Sequence, residues 1–291
     1  MFRGCLGALA VLLCAGGAIA QTAEHAATVI WPAEAHGFGG FSAIEVSGNG
    51  RDFIAVSDRG AILTGSFDRD AVGNITAIAS TPPMMLRGTD GTPLPEHARD
   101  AEGIAVDGAG RILISFEGVH RIFRYDDPRG PATALPVPDE FARFPANGSL
   151  EALAIDADGM ILTLPEQSDD PRGFPVFVFA DDVWRQPFHV PRLGRFLPVG
   201  ADFGPDGHLY LLERDFSLLG GFASRVRRFE IGQGRLEGGE ILLQSRRGQH
   251  DNLEGISVWA DPAGGLRLTL IADDNFFRLQ RTEIVEYRLA P

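Results

Sequence analysis

Short runs in which nearly every position is apolar recur along the chain, each broken by a glycine turn and closed by an acid. Five segments share the order strand, Gly turn, strand, acid: 42–58, 102–117, 151–166, 199–213 and 254–273. Their starting positions lie 48 to 60 residues apart. The residues after 254, joined to those from Gln21 to Phe41, make one more spacing of that size, so the two ends together complete the last repeat. The runs 112–116, 160–164 and 208–212 are apolar on both faces, as expected of strands sandwiched between neighbouring sheets. Two further strand-like runs follow in most repeats, for example 121–125 with 132–138 and 224–231 with 240–245. The last repeat has 282–289 and then stops one strand short, and 28–33 near the start is placed to supply it. No run of ten residues carries a helical period, and 139–144 predicts at most a turn or two.

Four-stranded sheets repeating at this period predict an all-β fold, a single β-propeller over residues 21–291 whose ring is closed by an N-terminal strand. Five blades are counted. A sixth would have to fit between Asp58 and Asp100. No linker interrupts the repeat, so a two-domain division is a poorer description.

Composition then narrows the chemistry. The chain has 291 residues with 44% hydrophobic and 22% charged residues, which is globular composition. Acidic residues number 39 against 26 basic ones, a formal charge of −13 that argues against nucleic acid or an anionic membrane surface as default partner. No lysine is present, which removes Schiff-base chemistry and any P-loop lysine. Residues 1–20 carry Arg3, an apolar stretch from Leu6 to about Gly16 and Ala18-Ile19-Ala20. They read as a secretory signal cut after Ala20, which predicts a periplasmic or secreted protein. Cys5 and Cys14 both fall in this segment, so the mature chain is expected to lack disulfides, thiol nucleophiles and zinc–thiolate sites. Cys14 follows Leu12-Leu13, which argues against a lipid anchor, and a monomer is expected. The sequence has no G-x-S-x-G, Walker A loop, G-x-G-x-x-G or H-E-x-x-H.

In a propeller the Gly turns lie on one face of the disc, and the starts of first strands meet the ends of second strands on the other. Pairing about the turn predicts Glu102 opposite Glu117, Glu151 opposite Glu166, and Glu254 near Asp273. Cross-strand neighbours lie roughly 4.5–5.5 Å apart at Cβ, where like charges repel. Something must offset that: a cation, an Arg, backbone N–H groups or a raised pKa. Asp58 and Glu213 repeat the second-strand acid in the other two blades. Val199 stands where three later blades have Glu, leaving Glu213 and Asp202 as the fourth blade's acids. The longer connections, 82–99, 138–148, 167–173, 215–222 and 274–281, gather on the same face, and Arg59, Arg214 and Arg281 sit beside the acids. Acids with Arg at one mouth suit a metal-bridged small anionic substrate, with hard oxygen donors for Ca²⁺ and guanidinium groups for phosphate or carboxylate oxygens.

Several motifs occur in order that resemble the bacterial family known as esterase-like activity of phytase. They are Gly39-Gly40-Phe41-Ser42, Ser57-Asp58-Arg59-Gly60, Asp100-Ala101-Glu102-Gly103, Ser115-Phe116-Glu117 and Asn147-Gly148-Ser149-Leu150-Glu151. Leu212-Glu213-Arg214-Asp215-Phe216, Asp251-Asn252-Leu253-Glu254-Gly255, Asp273-Asp274-Asn275-Phe276 and Leu279-Gln280-Arg281-Thr282 continue the series. The resemblance spans about residues 35–290. It implies a phosphoester hydrolase related in architecture to calcium-dependent propeller phytases, with the repeated Glu and Asp at the active site.

Together these readings predict an exported, metal-dependent phosphoric-ester hydrolase. Glu102, Glu117, Glu151, Glu166, Glu254, Asp273 and Asp274 are the expected Ca²⁺ ligands. Arg59, Arg214 and Arg281 are expected to orient phosphate, with Asp58 or Glu213 as general base. Two other readings stay open: a lactonase-type propeller, which Asn275 would also suit, and a non-catalytic binding or assembly propeller of the cell envelope.

Overall fold

The computed structural model describes residues 23–32, 37–232 and 234–290. The secretory-signal reading and both cysteines lie outside these residues. Five four-stranded sheets form a ring, each with its first strand innermost. The inner strands are Phe41–Val46, Ala101–Val106, Ala152–Ile155, Leu197–Phe203 and Asn252–Ala260, in blades 1 to 5. Each touches the inner strand of the blade before and after it, and the fifth touches the first. The stretch between Asp58 and Asp100 holds the outer strands of blade 1 (Ala61–Arg69, Ile75–Ser80), the short strand Met84–Met85 and a 3₁₀ turn, leaving no sixth blade. Among the described residues the only helical elements are the 3₁₀ turns Glu96–Ala98 and Asp139–Arg143. None is long and apolar enough to cross a membrane.

The fifth blade closes the ring as the repeat required. Ala23–Ile30 pairs antiparallel with Glu283–Leu289 and becomes that blade's outer strand. Hairpins between first and second strands are held on the far face by one recurring device. Asp107, Asp156, Asp206 and Asp261 each accept a backbone N–H two residues on, at 2.9, 3.0, 3.2 and 3.0 Å.

Two dry ion networks staple the ring. In the first, Glu286 of blade 5 is fully buried and accepts from Arg69 of blade 1 at 2.8 Å through both oxygens. It also accepts from Arg267 at 2.9 Å and from Thr269 Oγ1 at 2.9 Å. In the second, within blade 4, buried Glu213 accepts from Arg225 at 2.7 Å and from Arg227 at 2.8 and 2.6 Å. Removing one partner of such a buried pair strands the other charges in low dielectric. Glu286→Ala is therefore expected to lower the unfolding free energy by about 3–5 kcal/mol. Urea denaturation checks this, and a loss below about 1 kcal/mol, the range of exposed ion pairs, would show that the network does not staple the ring.

Candidate active site

The site is built by a repeated irregularity of the inner strands. In blades 1, 2, 4 and 5 the pairing of first with second strand slips by a residue near the mouth, at Phe41/Ala43, Ala101/Ile104, Pro198/Gly200 and Leu253/Gly255. The extra residue of a bulge is unpaired and its side chain is re-aimed. Ser42, Glu102, Val199 and Glu254 occupy these positions, so Glu102 and Glu254 turn into the channel instead of lying flush across from Glu117 and Asp273. The glycine that follows has its own reason. A Cβ on Gly103 would lie 2.7 Å from Leu153 Cβ, and one on Gly255 would lie 2.8 Å from Ala43 Cα in the next blade. The Glu-Gly pair thus re-aims a carboxylate and lets the neighbouring inner strand close up.

These positions open on a cavity of about 540 Å³ at the channel mouth. Asp58, Asp100, Glu102, Glu151, Glu166, Glu254 and Asp273 line it together with Ser42, Asn147, Asn252 and Asn275. Asp100, Glu102 and Glu117 each present an oxygen within 4.8 Å of the others. The guanidinium of Arg214 reaches into the same space, donating to Glu166 at 2.8 Å, to Asn252 Oδ1 at 2.7 Å and to Glu254. Arg195 also lines the cavity but is exposed and pairs with Asp215 at 3.7 Å, so the buried carboxyls cannot all ionise at ease around Arg214. Burial, then mutual repulsion, holds Glu102 and Glu151 well above the usual carboxylate range. Burial and the charge of Asp100 push Asp58 up to about 7. Burial and Glu254 push Asp273 to about 8. Glu117 rises by burial only to about 6, because the Ser149 N–H donates to it. Burial would lower the pKa of Arg214, but Glu254, Glu166 and Glu151 outweigh it and raise it.

A family model described as "Phytase-like: esterase-like activity of phytase" matches residues 36–276. The chain belongs to the phytase-like family. No curated protein sequence matches it. Among solved structures, an α-L-arabinofuranosidase of Podospora anserina in complex with cellotriose is similar, with a TM-score of 0.54 and 12% identity over 93% of this chain and 98% of that one. A gluconolactonase of Xanthomonas campestris (TM-score 0.46, 14% identity, 85% and 72% covered) and the PQQ-bound aldose sugar dehydrogenase of Streptomyces coelicolor (0.46, 13%, 92% and 99%) are more distant in shape. At these identities the likeness is one of fold.

The phytase-like site gathers most of the expected acids and leaves others outside. Glu102, Glu117, Glu151, Glu166, Glu254, Asp273 and Asp58 come together. Glu213 does not, because it pairs with Pro198 on the inner strand, as Ser57 and Phe116 pair with Phe41 and Ala101. The residue matching Asp58 and Glu117 is therefore Arg214, and with a side-chain period of two its neighbour Glu213 points away into the Arg225–Arg227 network. The spacing carried this signal: Glu117 and Glu166 lie fifteen residues after Glu102 and Glu151, and fifteen after Val199 is Arg214. Asp202 sits deeper in the channel, accepting the Val258 N–H at 2.6 Å, and burial pushes it up to about 7.

Asp274 faces the ring's seam. It accepts from the Gly40 N–H at 2.9 Å, the Phe276 N–H at 3.0 Å and Thr282 Oγ1 at 3.1 Å. Arg281 is paired with Glu283 at 3.2 Å and does not line the cavity. Arg59 stacks on the Phe276 ring at 3.3 Å, beside a smaller hollow that shares Asp58 and Asp100 with the main cavity. Asp100, Asn147 and Asn252 are site residues that the strand–turn–strand alignment passed over, since they precede its acids.

The raised acids set a pH dependence. In a chelator, Asp58, Glu117, Asp202 and Asp273 hold protons in the folded state up to about pH 6–8, whereas unfolded carboxyls release them near pH 4. The native state then binds more protons across that window, so stability must fall as pH rises from about 4 to about 8. Urea unfolding in EDTA at pH 5 and pH 8 checks the sign; greater stability at pH 8 would contradict the site electrostatics.

Proposed function

We propose that this phytase-like protein is an exported hydrolase of phosphoric esters that depends on a divalent cation, most readily Ca²⁺. The observation that carries the reading is the concentration of raised carboxyls around the buried guanidinium of Arg214, with Asp58 Oδ1 buried and without a hydrogen-bond partner. The donor set fits a hard cation, being carboxylate and amide oxygens with no thiol or imidazole among the cavity residues. Asp100, Glu102 and Glu117, with Glu151 beside them, would hold it. When bound, such an ion supplies Lewis-acid polarisation of a phosphoryl oxygen and acidifies a water.

The chain's own groups supply the rest. Arg214 is held by Glu166, Glu254 and Asn252, so its remaining N–H groups are already oriented toward a phosphoryl oxygen at no reorganisation cost. Asp58, which lines the cavity with its Oδ1 buried and without a hydrogen-bond partner, is placed to accept a proton from the attacking water. The water oxygen bonds to phosphorus, the ester P–O bond breaks, and the proton held on Asp58 passes to the leaving alkoxide. Glu213, sealed with two arginines, is not available for this role.

Thermal unfolding in EDTA, with and without excess Ca²⁺, Mg²⁺ or Mn²⁺, tests the cation. Binding to the native state alone should add about 2.7 kcal/mol at 100 times Kd, a rise of several degrees. The double variant Glu102→Gln/Glu151→Gln should lose both this rise and turnover. Arg214→Gln should keep the rise and lose about 10²–10³-fold in turnover. A panel of phosphoesters and lactones decides the bond cleaved, since Asn147, Asn252 and Asn275 would equally suit a lactone carbonyl site. No response to any of the three cations would instead favour a binding propeller whose acids are structural.

A further inference from the structure

The cavity has two unlike sides. Carboxylates and asparagines make one; on the other, Leu197, Phe216 and Phe222 line it with Arg195 and Asp215, which pair with each other at 3.7 Å. Phe216 and Phe222 pair across the hairpin of blade 4, with ring centroids 4.9 Å apart. Phe216 is 48% exposed, and at the hairpin tip beyond it Leu218 and Leu219 are 92% and 102% exposed. This apolar ridge therefore starts inside the cavity and runs outward from it.

The hairpin is braced in that position. Arg247 donates to the Asp215 and Gly221 carbonyls, each at 3.3 Å, and pairs with the Asp215 carboxylate. The Gly248 N–H donates to the Phe222 carbonyl at 2.8 Å. Large apolar side chains facing water forgo the transfer free energy that burial would return, and a contiguous apolar surface joined to a polar pocket marks a place where ligand is covered. The carboxylate side cannot cover an alkyl group favourably, because its acids would lose hydration without gaining a partner. The apolar side can.

We infer that the substrate is an amphiphilic ester: its polar head lies on the acidic floor, and its apolar alcohol lies along Leu197, Phe216 and Phe222 toward Leu218 and Leu219. The inference rests on the phosphoester reading for the identity of the head and on the two-sided cavity for the tail. Isothermal titration with non-hydrolysable methyl-, butyl- and octylphosphonate in excess Ca²⁺ tests the tail separately from turnover. Affinity should rise about fourfold for each of the first buried methylenes, which is ~0.8 kcal/mol. Leu218→Ser/Leu219→Ser should flatten that dependence and leave methylphosphonate affinity within about twofold, and Phe216→Ser should flatten it too; the two leucines are exposed enough that the first variant should fold as the wild type does. Affinity independent of chain length in the wild type would overturn the inference, as would a dependence that survives both variants. A dependence abolished by the variants, with no phosphoester of the same series turned over, would uphold the apolar subsite and refute the phosphoesterase reading instead.

Discussion

Everything at the channel mouth depends on holding a ring of carboxylates out of bulk water around the guanidinium of Arg214. Like charges at this spacing repel, and burial weakens the solvent that would screen them. Relief can come from protons, as the raised acids show, from Arg214, or from a bound cation. The backbone imposes the arrangement regardless of that cost. The bulges that re-aim Glu102 and Glu254, the glycines behind them and the ring closure by Ala23–Ile30 are satisfied by packing and ladder hydrogen bonds that do not consult the charges. Strain of this kind, concentrated in one place and supported everywhere else, is characteristic of functional sites.

The charged groups of this acidic protein accordingly do two different jobs. Glu286 with Arg69 and Arg267, and Glu213 with Arg225 and Arg227, are buried and multiply hydrogen-bonded, with two arginines to each acid. They join blades or strands and have no capacity left for a ligand. At the mouth the count is reversed, with eight acids to two arginines and with Asp58 Oδ1 lacking a partner. An ion pair with every lone pair satisfied is architecture; a set of carboxyls lacking cations has capacity for one. The same distinction separates Asp274, whose oxygens are taken by Gly40, Phe276 and Thr282, from Asp273 one residue earlier, which lines the cavity.

The cavity's chemistry is also lopsided around the ring. Blades 1, 2, 3 and 5 contribute the raised acids, and blade 4 contributes Arg214, Arg195 with Asp215, and the aromatic hairpin. Val199 removes the acid that blade 4 would have placed at its bulge, and Phe216 with Phe222 raises an apolar wall above it. One blade's departure from the repeat therefore gives the otherwise repetitive mouth a cationic centre and a direction, and both are what a site needs to seat a polar head in one orientation.

Much of this was legible in the sequence. Periodic apolar runs, turn glycines and the shortfall at residue 289 determined an all-β ring with a borrowed strand, because those signals are local and repeat; they counted five blades and left room for a sixth, which the outer strands of blade 1 fill. The residue types at the mouth were legible for the same reason, since Glu102, Glu151, Glu166, Glu254 and Asp273 sit at fixed offsets from their turns. Only the tertiary structure decided which of two neighbouring residues faces the channel. A side chain on a strand changes sides with each residue, and the pairing of Pro198 with Glu213 puts Arg214, not Glu213, at the place that Asp58 and Glu117 take in blades 1 and 2. The offset of fifteen residues marks that position in the chain, but which way it faces is set by how neighbouring inner strands pack, a contact between residues dozens of positions apart.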